Sequence, residues 1–163
     1  MKIFGKQFMF RDPLQVDIVI FDETNSEMVR KSINKNYSVG IFYQRKPSGI
    51  FIGIKVLINF IRNLGYFQIK WIRNDSLQGR QKIMDSVWKN FRLIYYKSCI
   101  DVMKPKAVVT FIDNSPYFGW LSRNCKDYPF IGIQNGRRLG YVRHKDYNIQ
   151  HLFSYGKHEK DYF

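Results

Sequence analysis

Residues 106–136 read KAVVTFIDNSPYFGWLSRNCKDYPFIGIQNG, and this stretch decides the fold. Its first part, 106–112, is a short apolar and β-branched run, the pattern of a strand buried on both faces. Asp113-Asn114-Ser115-Pro116 follows at once. Ser115 or Asn114 can cap a helix there, with Pro116 at the first helical position, where its missing N–H costs nothing. Residues 117–126 then carry Phe118, Leu121 and Cys125 at helical spacing. Residues 129–133 make a second short apolar strand, ended by Gln134-Asn135-Gly136. Strand, helix and strand joined by short loops form a βαβ unit, which is right-handed by strong default. The polar tips Asp113-Asn114 and Gln134-Asn135-Gly136 then stand at the carboxyl ends of neighbouring parallel strands, the edge at which open α/β sheets bind ligands.

The flanking chain extends this pattern. Residues 16–21 (VDIVIF) predict a strand of the same buried character, and Asp22-Glu23 becomes a third polar tip at the same sheet edge. Thr24 with Glu27 three residues later fits a capping box, so a helix starts near Asn25, with Met28, Val29 and Ile33 on its apolar side. Residues 38–43 are the next strand. Residues 1–15 form a basic, aromatic lead-in, extended or loosely packed, broken by Pro13 before the domain that spans 16–163. After a loop at 44–49, residues 50–64 predict an amphipathic helix with Lys55, Asn59, Arg62 and Asn63 on one face. Core packing is the weightier reading of its apolar side, and a membrane surface or groove the other. Gly65 suits the position after its end.

Residues 67–72 alternate as a half-exposed strand would, and 78–103 form the longest helix, with apolar residues recurring at three and four until Lys104-Pro105. Its aromatic stripe reads as core packing before it reads as a stacking platform. Residues 137–145 are a basic, glycine-containing loop, and 150–155 a last strand. The alternation predicts an α/β protein, a Rossmann-like three-layer α/β/α domain with a mostly parallel sheet.

Composition bounds what such a domain does. A chain of 163 residues with 45% hydrophobic and 17% aromatic content builds a core,. Twenty-seven Lys and Arg against 13 acids leave a net charge of +14. That charge fits anionic ligands, acidic membrane lipids or nucleic acid, and equally a merely basic surface, since the cations are scattered. Cys99 and Cys125 fall inside predicted helices on apolar faces, where small-residue packing outweighs a disulfide or metal role and a reducing cytoplasm fits. His144, His151 and His158 are seven residues apart, no ligand spacing,. The first residues lack the apolar run of a signal peptide or spanning helix, which predicts a cytoplasmic protein, at most against the inner face of a membrane.

Several enzyme classes are argued against. DETNSE follows the first strand where a dinucleotide-binding site has GxGxxG; GxxxxGK[ST] and GxSxG are absent too,. Nothing visible requires a metal or a cofactor.

The segments VDIVIFDETNSE, KPKAVVTFIDNSPYFGWLS, FIGIQNG and LFSYGKHEKDYF, in this order and spacing, resemble the first half of the surface carbohydrate biosynthesis protein family. These are bacterial proteins related to two-domain glycosyltransferases of the GT-B architecture, including lipopolysaccharide-assembly enzymes. The resemblance covers most of the chain from about Val16 onward. It implies a Rossmann-like first domain whose strand tips line a cleft facing a second such domain, with a nucleotide-sugar or glycan acceptor as partner. Members of the family carry that second domain after this point. The implied reading is therefore a truncated or split glycosyltransferase-like half, completed by a second domain or a partner chain.

Sugar transfer needs a carboxylate or imidazole to take the acceptor proton, and positive charge or helix N-termini to hold the leaving phosphate. Asp22, Glu23 and Asp113 are the candidate catalytic acids. Asn114, Gln134, Asn135 and Gly136 are candidates for contact with sugar or phosphate, and Arg137 and Arg138 for the anion. Each has a plainer role: Asp22 and Asp113 can cap helices, and Gln134-Asn135-Gly136 can simply form a turn. Two other readings stay open, a non-catalytic binding module of the same fold and a nucleic-acid-binding protein, the latter disfavoured by the dispersed charge.

Overall fold

The computed structural model describes residues 2–3, 6–21, 25–42, 49–66, 79–111, 115–134 and 149–153. Its main sheet has five strands, all paired in parallel: β3 (Ile18–Phe21), β4 (Val39–Phe42), β6 (Ala107–Thr110), β7 (Phe130–Ile133) and β8 (His151–Phe153). Their spatial order is β4-β3-β6-β7-β8. The chain thus moves outward from β3 to β4, then jumps back across β3 to β6 and continues the other way. Strand order reverses between β3 and β6.

The strands are short apolar runs because both sheet faces are covered. Alternate residues serve opposite faces. Val19, Phe21, Phe42, Val108 and Phe130 join one core cluster, with helices α2 (Ile54–Asn63), α3 (Gly79–Met103) and α4 (Pro116–Asn124) supplying most of the rest. Ile20 and Val109 join the other, against Val29 of α1 (Ser26–Ser32). Among the described residues this is a three-layer α/β/α arrangement around a mostly parallel sheet, the expected Rossmann-like fold class. The β6-α4-β7 unit forms as its sequence predicts. Pro116 opens α4, and Ser115 caps it by accepting a hydrogen bond from the Phe118 N–H at 3.4 Å. The helix α1 also starts where expected, with Asn25 as its cap residue and no side-chain cap bond there.

Part of the segment 1–15 is extended, as expected: β1 (Lys2–Ile3) and β2 (Lys6–Met9) form a second, three-stranded sheet with β5 (Gly49–Phe51), and Pro13 is buried. Two expectations about the helix that follows β5 are corrected. The predicted helix over 50–64 begins late. Its first residues are strand β5, parallel to β2, and the helix starts at Ile54 after Gly53. The reason is a contact distant in sequence: Asp12 Oδ1 accepts the Val56 N–H at 3.1 Å, capping α2 from the N-terminal segment. Gly53 is required there, since a Cβ on it would collide with Asp12.

The second correction concerns which way α2 faces. Its expected polar side includes Asn63, yet Asn63 is buried against α3. Its Nδ2 donates to Ser98 Oγ at 3.1 Å and Asp101 Oδ2 at 2.9 Å. Val56 packs inward as well, while Ile54, Leu57, Ile58 and Ile61 are exposed. Core packing accounts for only part of this helix's apolar surface. Of the other expected elements, the strand at 67–72 and the loop at 137–145 lie outside the described residues.

Candidate functional site

The carboxyl ends of β3, β6 and β7 lie side by side, because the three strands are parallel neighbours. Thr110, the last residue of β6, donates from Oγ1 to the Phe21 carbonyl at the end of β3, at 2.8 Å. This buried bond ties the two strand ends together where strand order reverses. Such a reversal leaves the loops diverging to opposite faces of the sheet, and the crevice between them is the usual ligand site of this fold class. The cap at Ser115 sets the start of α4 just beyond β6.

Of the site residues predicted from sequence, the structure describes Gln134. It follows β7 directly, is buried, and its N–H donates to the Phe153 carbonyl at 2.9 Å, joining β7 to β8 at the carboxyl edge. Asp22, Glu23, Asp113, Asn114, Asn135, Gly136, Arg137 and Arg138 lie outside the described residues. The chain enters Asp22-Glu23 straight from β3, and Ile112-Asp113-Asn114 is bracketed by Phe111 and Ser115.

A groove of about 320 Å³ opens between β5, α2 and α3, lined by Ile50, Phe60, Trp88, Phe91, Arg92, Tyr95 and Tyr96. It adjoins the carboxyl side of the sheet. Tyr96 meets Phe21 edge-on, with ring centroids 5.2 Å apart, and Phe42, the last residue of β4, at 6.0 Å. Phe60 stacks on Phe91 at 6.1 Å, and the Arg92 guanidinium sits 5.7 Å from the centre of the Tyr117 ring. The Tyr95 hydroxyl accepts the Phe51 N–H at 2.8 Å, and burial raises its pKa. It therefore stays a neutral phenol that fixes β5 against α3. Sequence reading missed this groove. The signal was present in Trp88, Phe91, Tyr95 and Tyr96 on α3, but their spacing is equally that of a core stripe.

The opposite, amino-terminal edge is built for stability. Asp17 Oδ2 accepts from Ser38 N–H at 2.8 Å and from the Ser38 hydroxyl at 2.7 Å, and Oδ1 pairs with Lys106 Nζ at 2.9 Å. The Ser38 amide first, then Lys106 and the Ser38 hydroxyl, hold the carboxyl at about 2. This clamp joins the residues just before β3, β4 and β6.

Burial pushes the Cys99 and Cys125 thiols up to about 12, so neither is a ready nucleophile,. Among the described residues no group of three His, Cys, Asp or Glu side chains can hold a metal ion. Nor is any helix there long and apolar enough to cross a membrane. Neither a protein-family model, a curated protein nor a solved structure matches the chain.

Proposed function

We propose that this chain is a glycosyltransferase-like domain of bacterial surface polysaccharide biosynthesis, acting in the cytoplasm at the inner face of the membrane and completed by a second domain or partner chain. One observation carries the reading: the strand order reverses between β3 and β6, whose bonded carboxyl ends lead into Asp22-Glu23 and Asp113-Asn114,. The resemblance of four segments to surface carbohydrate biosynthesis proteins supports the choice of chemistry. The aromatic groove beside this edge also suits it, because the apolar face of a sugar ring or base packs on Tyr and Phe rings,.

In the proposed reaction a carboxylate of Asp22, Glu23 or Asp113 takes the acceptor hydroxyl proton. The acceptor oxygen bonds to the donor's anomeric carbon as the bond from that carbon to phosphate oxygen breaks. The departing nucleotide carries the electron pair and its negative charge to Arg137 and Arg138. Asn114, Gln134, Asn135 and Gly136 contribute hydrogen bonds to hydroxyl or phosphate oxygens.

Saturation-transfer NMR of the full chain with a panel of nucleotide sugars tests the binding half of this proposal. At least one nucleotide sugar is expected to bind and to be displaced by its free nucleotide. With the completing domain supplied, Asp22→Asn or Asp113→Asn is expected to lower turnover by about 10²–10⁴-fold while the fold persists. Binding without turnover would leave a non-catalytic module. Failure of the whole panel, together with steeply salt-dependent binding to duplex DNA, would replace the reading with nucleic-acid binding.

A further inference from the structure

We propose that the outer face of α2 is a docking surface for an anionic lipid bilayer, lying flat in the boundary between headgroups and acyl chains. This inference deepens the membrane location proposed above and rests on it, but needs no residue of the strand edge, so its failure leaves the sugar-transfer reading standing.

The helix has two opposed faces. Val56, Phe60 and Asn63 turn toward α3, through the Phe60–Phe91 stack and the Asn63 bonds to Ser98 and Asp101. On the far side, Ile54 is 74% exposed, Leu57 49%, Ile58 44% and Ile61 68%. Their spacing of three and four puts them in one stripe, and exposed Leu64 extends it,. A stripe of β-branched and leucine side chains turned to water is the reverse of a core-packing helix, and contiguous exposed apolar surface marks an interaction site.

Charge selects the occupant. On the same helix, Lys55 and Arg62, seven residues apart and so on one side, border the stripe along one edge and are exposed,. The chain has no Asp or Glu between Glu27 and Asp75, a segment that carries nine Lys and Arg. A short helix with a large apolar face, a cationic edge and no acid of its own is built for an anionic membrane interface. A second copy fits worse, since it would bring together two chains of net charge +14, each with a cationic edge beside the stripe,. Nucleic acid fits worse too, because the stripe is aliphatic and offers no ring for a base.

Flotation of the full chain with unilamellar vesicles tests the proposal. Phosphatidylglycerol-containing vesicles are expected to retain the protein, and pure phosphatidylcholine vesicles to retain roughly tenfold less. The exposed-face variant Ile58→Glu/Ile61→Glu is expected to lose at least about tenfold in retention with an unchanged melting temperature. Lys55→Glu/Arg62→Glu is expected to weaken retention at low salt and to converge with the parent chain at high salt. Equal retention by the Ile58→Glu/Ile61→Glu variant, or no preference for the anionic vesicles, overturns the proposal. So does a lipid-free dimer in light scattering that the same variant dissociates, which assigns the face to a second copy.

Discussion

Asp17 shows how much one side chain organises at the amino edge. Its carboxyl is held at about 2, below an ordinary aspartate near 3.9,. A folded-state pKa below the unfolded one means stabilisation that is complete above the unfolded value and is lost as pH falls through the folded one. Melting curves of the parent chain and Asp17→Asn are therefore expected to differ by a constant amount above about pH 5, and to approach each other between about pH 4 and pH 2. A gap that persists at pH 2 would mean that the clamp acts through packing rather than charge. Gly53 is a second single-residue constraint. Its φ of −93° suits any residue, so only the collision with Asp12 forbids a side chain. Gly53→Ala is expected to cost about 1–3 kcal/mol, and Asp12→Ala about 1 kcal/mol through the lost cap, both measurable by urea unfolding.

At the scale of elements, the pairing of α2 with α3 rests on a polar cluster within an apolar contact. Lys97 Nζ lies 3.1 Å from Asp101 Oδ2, with side chains only 8% and 20% exposed, and 5.3 Å from the Tyr66 ring. Burial opposes the Lys97 charge, but Cys125 and Asp101 more than offset it and raise its pKa. Asp101→Leu leaves that ammonium buried without its carboxylate and is expected to cost about 2–4 kcal/mol. Lys97→Met/Asp101→Leu, which removes both charges, is expected to cost less than that single change. Denaturant melts of both variants decide it, and a larger loss in the double variant would count against the ion-pair account. The helix α4 rests on packing instead: Phe118 meets Phe130 at 5.2 Å and Phe21 at 6.4 Å. Phe118→Ala is expected to cost about 3–5 kcal/mol in the same measurement.

Across the whole molecule, the parallel sheet separates two kinds of surface. The amino edge is closed by Asp17, Ser38 and Lys106, while at the carboxyl edge the ends of β3 and β4 adjoin the aromatic groove through Phe21 and Phe42. How much of this was legible from sequence depends on how local each signal is. The β6-α4-β7 unit was readable because its strand runs, the Ser115 cap and Pro116 act within a few residues of one another. The groove was not, since an aromatic at helical spacing looks alike whether it meets a sheet, a neighbouring helix or water. The strand at Gly49–Phe51 was not, since its partner β2 lies some forty residues earlier.

The sequence by itself determined the alternation of short buried strands and helices, hence the α/β class, and the polar composition of the strand ends. Those are consequences of hydrophobic period and of capping, which act between residues near in the chain. Only the tertiary structure decided the strand order that reverses beside Thr110, and the direction in which α2 turns its faces. Asn63 found buried partners in Ser98 and Asp101, so the helix rotated its asparagine inward and left Ile54, Leu57, Ile58 and Ile61 outside. A buried amide must be hydrogen-bonded, and where that bond is available is a property of the packed molecule rather than of the helix's own sequence.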